Sequence, residues 1–388
     1  MQDRQSSNPF KVFLTFLRLG LTSFGGPIAH LGYFREEFVA RRQWLSEQSY
    51  AELVALCQFL PGPASSQVGF ALGWMRGGAL GGLAAFIGFT LPSALIMAVF
   101  ALVTLSLADP VFLSALAGLK LVAVAIVSQA VLGMARSLCP DAPRASIAVV
   151  ALAVLAVVPA PFAMPGAILL GALAGLFLQT ENSAEAPLDI PVSRRVAVSC
   201  LILCAGLLVG LPLVAGHSAT MAQFDSFFRA GALVFGGGHV VLPLLEAEFV
   251  PELIDHTEFL AGYSAAQAIP GPLFTFGTYL GALLGGATGA VLATVAIFLP
   301  GFLLLIGVLP FWQAVKRQPL ARAALAGTNA AVVGILGAAL FDPIARTALH
   351  DLTDLALAAL CFVLLTGWRL PIWSVVVIGA AGGIVLGL

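Results

Sequence analysis

Charge is the scarcest commodity in this chain. Of 388 residues only 10% are Asp, Glu, Lys or Arg, where a soluble domain carries about a quarter. So few charges cannot cover a water-facing surface, and most of the exterior is expected to face lipid. The 18 basic and 19 acidic residues leave a net charge of −1 and no basic tract, which excludes nucleic acid as a partner. Cysteine is sparse, odd in number and scattered: Cys57, Cys139, Cys200, Cys204 and Cys361. Cys200 and Cys204 share a helix face but have no His or acid beside them, so packing is expected rather than a metal or redox site. The five histidines include no H-E-x-x-H and no matched acid pair, so the chain is not expected to be an enzyme or to hold a metal or cofactor. No cleavable signal peptide is expected either, because Met1–Asn8 is polar and the first apolar stretch runs into a Gly-rich motif rather than an A-x-A site.

What the chain has is apolar sequence, 60% of its residues, with a mean hydropathy of +1.02. Apolar segments run over 10–34, 50–74, 77–106, 111–136, 146–160, 163–178, 196–216, 222–245, 259–284, 287–310, 322–341, 352–366 and 371–388. A simple span needs about 20 apolar residues, and several of these are too short or too broken. Prolines at 159, 161 and 165 make 146–178 the most ambiguous stretch, two short segments or one bent crossing.

The chain also repeats itself. Phe16-Leu-Arg-Leu-Gly-Leu-Thr-Ser-Phe-Gly-Gly-Pro27 aligns with Phe227-Phe-Arg-Ala-Gly-Ala-Leu-Val-Phe-Gly-Gly-Gly238, sharing F-x-R-x-G-x-x-x-F-G-G. In the same order Glu37 pairs with Glu248, and Gln58-Phe-Leu-Pro-Gly-Pro63 with Gln267-Ala-Ile-Pro-Gly-Pro272. Leu91-Pro92 then pairs with Leu299-Pro300, and Ala117-Gly118-Leu119-Lys120 with Ala326-Gly327-Thr328-Asn329. This predicts an N-terminal repeat (1–178), a polar linker (179–195), a central inverting helix (196–216) and a C-terminal repeat (217–388). About six segments per copy plus one unpaired helix would place the second copy upside down. The expected fold is therefore an all-α membrane protein of two inverted-topology repeats. Charge placement favours re-entrant hairpins at 10–34 and 50–74: with a cytoplasmic N-terminus they bring Arg35, Arg41 and Arg42 to the inner side and leave Arg346 as the external cation.

Non-helical backbone at membrane depth is costly unless it is buried in protein or lines a cavity. Four breaks of this kind occur, Ser23–Pro27 with Val234–Gly238 and Pro61–Pro63 with Pro270–Pro272. At each, the N–H groups of the following half-helix lack intrahelical acceptors and sit at a positive dipole end, which suits an anion. Kinks that merely pack helices are the plainer alternative, but both breaks occur twice. The candidate ligands are Arg18, Ser23, Gly25, Gly26, Pro27, Gln58, Pro61, Gly62, Pro63, Ser65 and Ser66, and in the second copy Arg229, Gly236, Gly237, Gly238, Gln267, Pro270, Gly271, Pro272 and Thr275. Thr22 and Thr278 add hydroxyls nearby. Arg18 is within snorkelling reach of the interface; its recurrence as Arg229 argues for function. Lys120 lies mid-segment where its counterpart Asn329 is neutral, and both join the candidates. Proton-coupling candidates are Glu37, Glu52, His239 and Glu248, with Glu37 and Glu248 at loop-flanking positions where a solvated surface charge is the simpler reading.

The duplicated F-x-R-x-G-x-x-x-F-G-G and Q-x-x-P-G-P motifs resemble the long, two-domain form of the chromate ion transporter family over essentially the whole chain. The resemblance implies efflux of chromate from the bacterial cytoplasm across the inner membrane, driven by the proton gradient, with sulfate as a close analogue. It departs from equality of the copies at Gly238-His239, where the first copy has Pro27-Ile28. The residues alone leave open which tetrahedral oxyanion is bound, and whether the protein is a carrier or a passive anion channel. Chromate or a similar oxyanion and membrane lipid are the expected partners, and a homodimer is compatible with this reading.

Overall fold

The structure is a computed structural model that describes residues 8–24, 26–106, 110–158, 160–178, 190, 192–235, 238–312, 314 and 318–387. Gly25, Gly236, Gly237 and most of the linker 179–195 lie outside the described residues. No strand occurs among the described residues, and the protein is an all-α membrane protein. Five helical stretches are long and apolar enough to cross a membrane: Ala64–Thr104, Pro110–Leu138, Arg194–Ala215, Leu273–Phe311 and Pro319–Ala348.

The helices are α1 (Pro9–Thr22), α2 (Gly26–Phe34, continued by a π-helical segment Arg35–Arg41), α3 (Glu47–Phe59), α4 (Ala64–Ser106), α5 (Pro110–Leu138), α6 (Ala142–Val157), α7 (Ala160–Gly175) and α8 (Arg194–Ala215). They continue with α9 (Ala219–Leu233), α10 (Val241–Phe249), α11 (His256–Ala268), α12 (Phe276–Val308), α13 (Pro319–Ala339), α14 (Leu352–Thr366) and α15 (Ile372–Leu386). Several starts follow from local chemistry. Asn8 precedes Pro9 and accepts from the Phe10 amide, while Ser46, Asp141, Ser193 and Ser218 cap α3, α6, α8 and α9 with their side-chain oxygens.

The chain forms two compact units. The first comprises 1–105, 184–238 and 266–312, and the second 106–183, 239–265 and 313–388. Each unit draws on both halves of the sequence.

In the first unit α4 and α12 each reverse direction. Gly77 and Gly78 leave helical geometry at φ/ψ of −138/19 and 59/−149, and Gly285 and Gly286 do so at −150/23 and 58/−145. The helix folds back there, since Gly73 lies against Gly81 and Ala85, and Gly281 against Gly289 and Ala293. In a straight helix, residues eight apart are about 12 Å apart along the axis. The left-handed φ of Gly78 and Gly286 is what only glycine adopts freely. The segment boundaries read from hydropathy at 74/77 and 284/287 fall on these turns.

The chain also folds back at its two first-copy breaks. Phe16 of α1 packs on Phe34 and Phe38 beyond the first break, with ring centroids 5.7 and 5.0 Å away. Arg76, at the end of the first arm of α4, lies over the Trp44 ring just before α3, 4.8 Å from its centroid. Both ends of α3–Pro61-Gly-Pro63–α4 therefore lie together, as a hairpin requires.

The second unit is held by close helix contacts at small residues. Gly171 and Gly175 of α7 meet Ala331, Gly327 and Ala323 of α13, running antiparallel, while Ala148 and Leu152 of α6 meet Gly334 and Gly337, running parallel. Hence α6 and α7 are antiparallel to one another, two helices rather than one bent crossing. Likewise Gly118 of α5 meets Gly379 and Gly383 of α15, and Leu357 and Cys361 of α14 meet Gly382 and Gly379. Contacts of this small-residue kind let apolar helices approach closely without a hydrophobic drive between them.

Candidate binding site at the crossed breaks

The F-x-R-x-G motif first places two packing residues. Phe16 and Phe227 are fully buried, and Gly20 and Gly231 touch backbone carbonyls of Phe89 and Ile297 on the second arms of α4 and α12. A Cβ at either glycine would collide with that backbone. The motif's arginines face elsewhere: Arg18 is exposed on α1, and Arg229 is half-buried, 3.0 Å from Asp225 one turn earlier. Asp225 replaces Leu14 of the first copy, so the arginines sit in unlike surroundings.

The breaks meet crosswise. The Gly62 amide donates to the Val234 carbonyl at 2.8 Å, and the Gly271 amide donates to the Ser23 carbonyl at 3.0 Å. The P-G-P glycine of each copy thus closes on the residue before F-G-G of the other. Both glycines have positive φ, 120° for Gly62 and 107° for Gly271. Both also sit against the Pro92/Pro300 turn of the opposite copy, Gly62 on Gly301 and Gly271 on Ser93. The anticipated anion donors are modified accordingly: these two amides already have carbonyl acceptors. The first-turn amides of α4, which no helical carbonyl reaches, remain the backbone donors on that side.

Side chains complete the junction. His30 is fully buried, with Nε2 3.2 Å from the Ser23 carbonyl, Nδ1 3.4 Å from Ser65 Oγ, and its ring edge-on to Phe89. Gln67 Nε2 donates to the Pro61 carbonyl at 3.1 Å and the Gly301 carbonyl at 2.9 Å. Ser93 Oγ donates to the Thr90 carbonyl. Around these contacts the hydroxyls of Ser23, Ser66 and Thr90, at most 3% exposed, have no hydrogen-bond partner among the described residues. Buried polar atoms are seldom left so, and a hydroxyl can donate to an anion.

The remaining candidates fall in several places. Gly26, Pro27, Pro63 and Pro272 border the breaks. Gln58 is exposed on α3, whereas its counterpart Gln267 is buried. Thr275 Oγ1 donates to the Pro272 carbonyl, Thr278 bonds Thr294, and Thr22 bonds back to the Arg18 carbonyl. Lys120 belongs to the second unit, where it lines a cavity of about 400 Å³ with His350, Asp351 and Asp354. Acids absent from its own segment come from the start of α14. Asn329, also in the second unit, has a buried Oδ1 without a hydrogen-bond partner among the described residues. The motif that contains Lys120 and Asn329 recurs for a packing cause, since Gly118 and Gly327 are its close-contact residues.

Among the proton-coupling candidates, Glu37 departs from the solvated charge expected of it. It is 7% exposed and accepts from Arg41 and Arg42 at 2.6 Å each. Glu52 is buried and accepts from Trp312 Nε1 at 2.6 Å, and His239 Nδ1 is 2.7 Å from the Tyr263 hydroxyl. Glu248 is exposed, as the sequence suggests. Sequence reasoning missed His30, Gln67 and Thr90. The first two face Val241 and Thr275 in the repeat alignment, so recurrence gave no signal for them.

The family model for the chromate transporter matches residues 10–176 and 221–385. A chromate transport protein of Pseudomonas aeruginosa is 32% identical over 96% of this chain and 90% of its own length. One of Cupriavidus metallidurans is 26% identical over 96% and 91%, and an uncharacterized transporter of Methanocaldococcus jannaschii is 26% identical over 87% and 84%. No solved structure matches the chain.

Proposed function

Because the chain belongs to the chromate transporter family, we propose that it carries chromate, or a closely similar tetrahedral oxyanion, and binds it where the breaks of its two copies cross. The observation that carries this reading is the set of unpartnered hydroxyls of Ser23, Ser66 and Thr90 beside the reciprocal Gly62–Val234 and Gly271–Ser23 bonds. A tetrahedral dianion offers only acceptors, so a site for it needs donors, little competing water and backbone that approaches closely. The hydroxyls and the first-turn amides of α4 supply donors, and the glycines supply the approach. Arg18 and Arg229 would act earlier, raising the local anion concentration from their more exposed faces.

The cycle we envisage is alternating access, with two inverted copies rocking about the crossed breaks in a bacterial cytoplasmic membrane. The matching turns at Gly77-Gly78 and Gly285-Gly286 and the reciprocal bonds support treating the halves as copies of one module. The arginines of 35–49 support a cytoplasmic N-terminus. Direction is outward and the proton gradient drives it; sulfate competes as an analogue.

Uptake of labelled chromate into everted vesicles tests the reading. Ser23→Ala, Ser66→Ala and Thr90→Val are each expected to raise KM about tenfold, the loss of one hydrogen bond to a charged group. Unchanged KM in all three, at equal protein levels, would place the site elsewhere. Counterflow that is not accelerated by unlabelled chromate would favour a channel.

A further inference from the structure

The second unit holds a titratable pair that the candidates above leave out. A cavity of about 800 Å³ is walled by apolar side chains, among them Leu152, Leu155, Met164 and Ile335, and three ionisable groups enter it: Glu246, His256 and Asp342. Glu246 lies in the last turn of α10 and His256 begins α11, so the loop between those helices brings them together. Glu246 is 5% exposed, and its Oε1 has no hydrogen-bond partner among the described residues. The Nδ1 of His256, also without one, stands 3.8 Å away, beyond hydrogen-bond reach but close enough for a small side-chain rotation to join them.

We propose, on the premise that the chain is a proton-driven oxyanion carrier, that Glu246 binds the coupling proton and that His256 passes it between Glu246 and water. The step is a simple balance: a proton from water on one side of the membrane adds to a carboxylate oxygen of Glu246, giving the neutral acid, and returns to water through His256 when the cavity opens to the other side. Geometry separates Glu246 from the other acids. Glu37 is clamped by two arginines, Glu52 accepts from Trp312, Asp354 accepts from the His350 amide, and Glu248 is exposed. A group fixed in a permanent ion pair has no reason to exchange a proton during a cycle, whereas a buried acid facing an apolar cavity does.

The charged surroundings agree. The groups facing Glu246 are His256 from α11 and Asp342 from the turn after α13, itself paired with Arg346 at 2.8 Å; α6 and α7 present apolar side chains to the cavity. Glu246 lies outside the five long apolar stretches, and burial, with Asp342 nearby, raises its carboxyl from the usual range to about 8. It therefore holds its proton at neutral pH and releases it into an alkaline phase.

Two measurements on the full chain decide the matter. In detergent, infrared difference spectra should contain a carboxylic-acid C=O band titrating near pH 8 that disappears in Glu246→Gln. In proteoliposomes, Glu246→Gln should keep labelled-chromate counterflow but lose accumulation driven by a pH gradient, and His256→Gln should slow that accumulation without abolishing it. A Glu246→Gln protein that still accumulates chromate on the gradient overturns the proposal, as does a band that persists in the variant. If Glu246→Gln fails to fold, Glu246→Asp must shift the band, and an unshifted band overturns the assignment. Wild-type protein without chromate counterflow would instead sink the oxyanion reading and leave the titrating carboxyl to be judged by its band.

Discussion

The residues of one motif have opposite fates. In F-x-R-x-G the phenylalanine and glycine recur because α1 and α9 need them for packing, and the arginine, which drew attention first as an intramembrane charge, faces away from that contact. Gly20→Ala and Gly231→Ala should each destabilise the protein by about 1–3 kcal/mol, because the added methyl meets backbone that cannot yield. Gly206→Ala on α8, where nothing lies within 4 Å, should be neutral or stabilising by up to about 1 kcal/mol from helix propensity. Thermal unfolding in detergent, followed by thiol-reactive dye at the buried cysteines, compares the three; equal midpoints would refute the packing account. Recurrence thus marked packing residues as readily as candidate ligands. It marked the break that holds Ser23, although that serine itself faces Val234 in the second copy, and the motif that holds Lys120, which recurs for its glycine. It was blind to His30, which stands between the recurring motifs and faces Val241.

At the scale of elements, the breaks and reversals were legible because Gly-Gly and P-G-P interrupt otherwise uniform apolar sequence. The chain at 35–49 and 246–258 was less so. It reads as loop, yet Arg35–Arg41 is π-helical, α10 runs to Phe249 and α11 begins at His256. Hydropathy reports where apolar side chains are, not where the backbone is hydrogen-bonded, and charged helix ends are invisible to it. The burial of Glu37 was hidden for the same reason, since its two arginine partners looked like ordinary loop charges. The α3–α4 hairpin makes a topological prediction. Gln43→Cys and Ala79→Cys, both at exposed positions, should be labelled by an impermeant thiol reagent from the same side of the membrane. Labelling from opposite sides would mean that 47–76 crosses.

For the whole molecule, the sequence division into halves and the spatial division into units cut across one another. The first unit takes α1–α4 from one half and α9 and α12 from the other, together with the central helix α8. Neither half can therefore complete that unit alone. Two chains divided within 179–195 should accumulate in the membrane and support chromate transport only when co-expressed, with each alone degraded; immunoblots and vesicle uptake provide the measure. Independent stability of either half would show that the crossed contacts are dispensable. Those contacts are made by main chain to main chain, Gly62 to Val234 and Gly271 to Ser23, and a main-chain bond is indifferent to the side chains it carries. So long as the two glycines are retained, one half is free to drift in chemistry while the other does not. Serine stands on one side and valine on the other, with proline answered by glycine a few residues on. A duplicated protein can in this way keep the symmetry of its frame and lose the symmetry of its ligands, and divergence between the halves becomes a record of where the solute is touched.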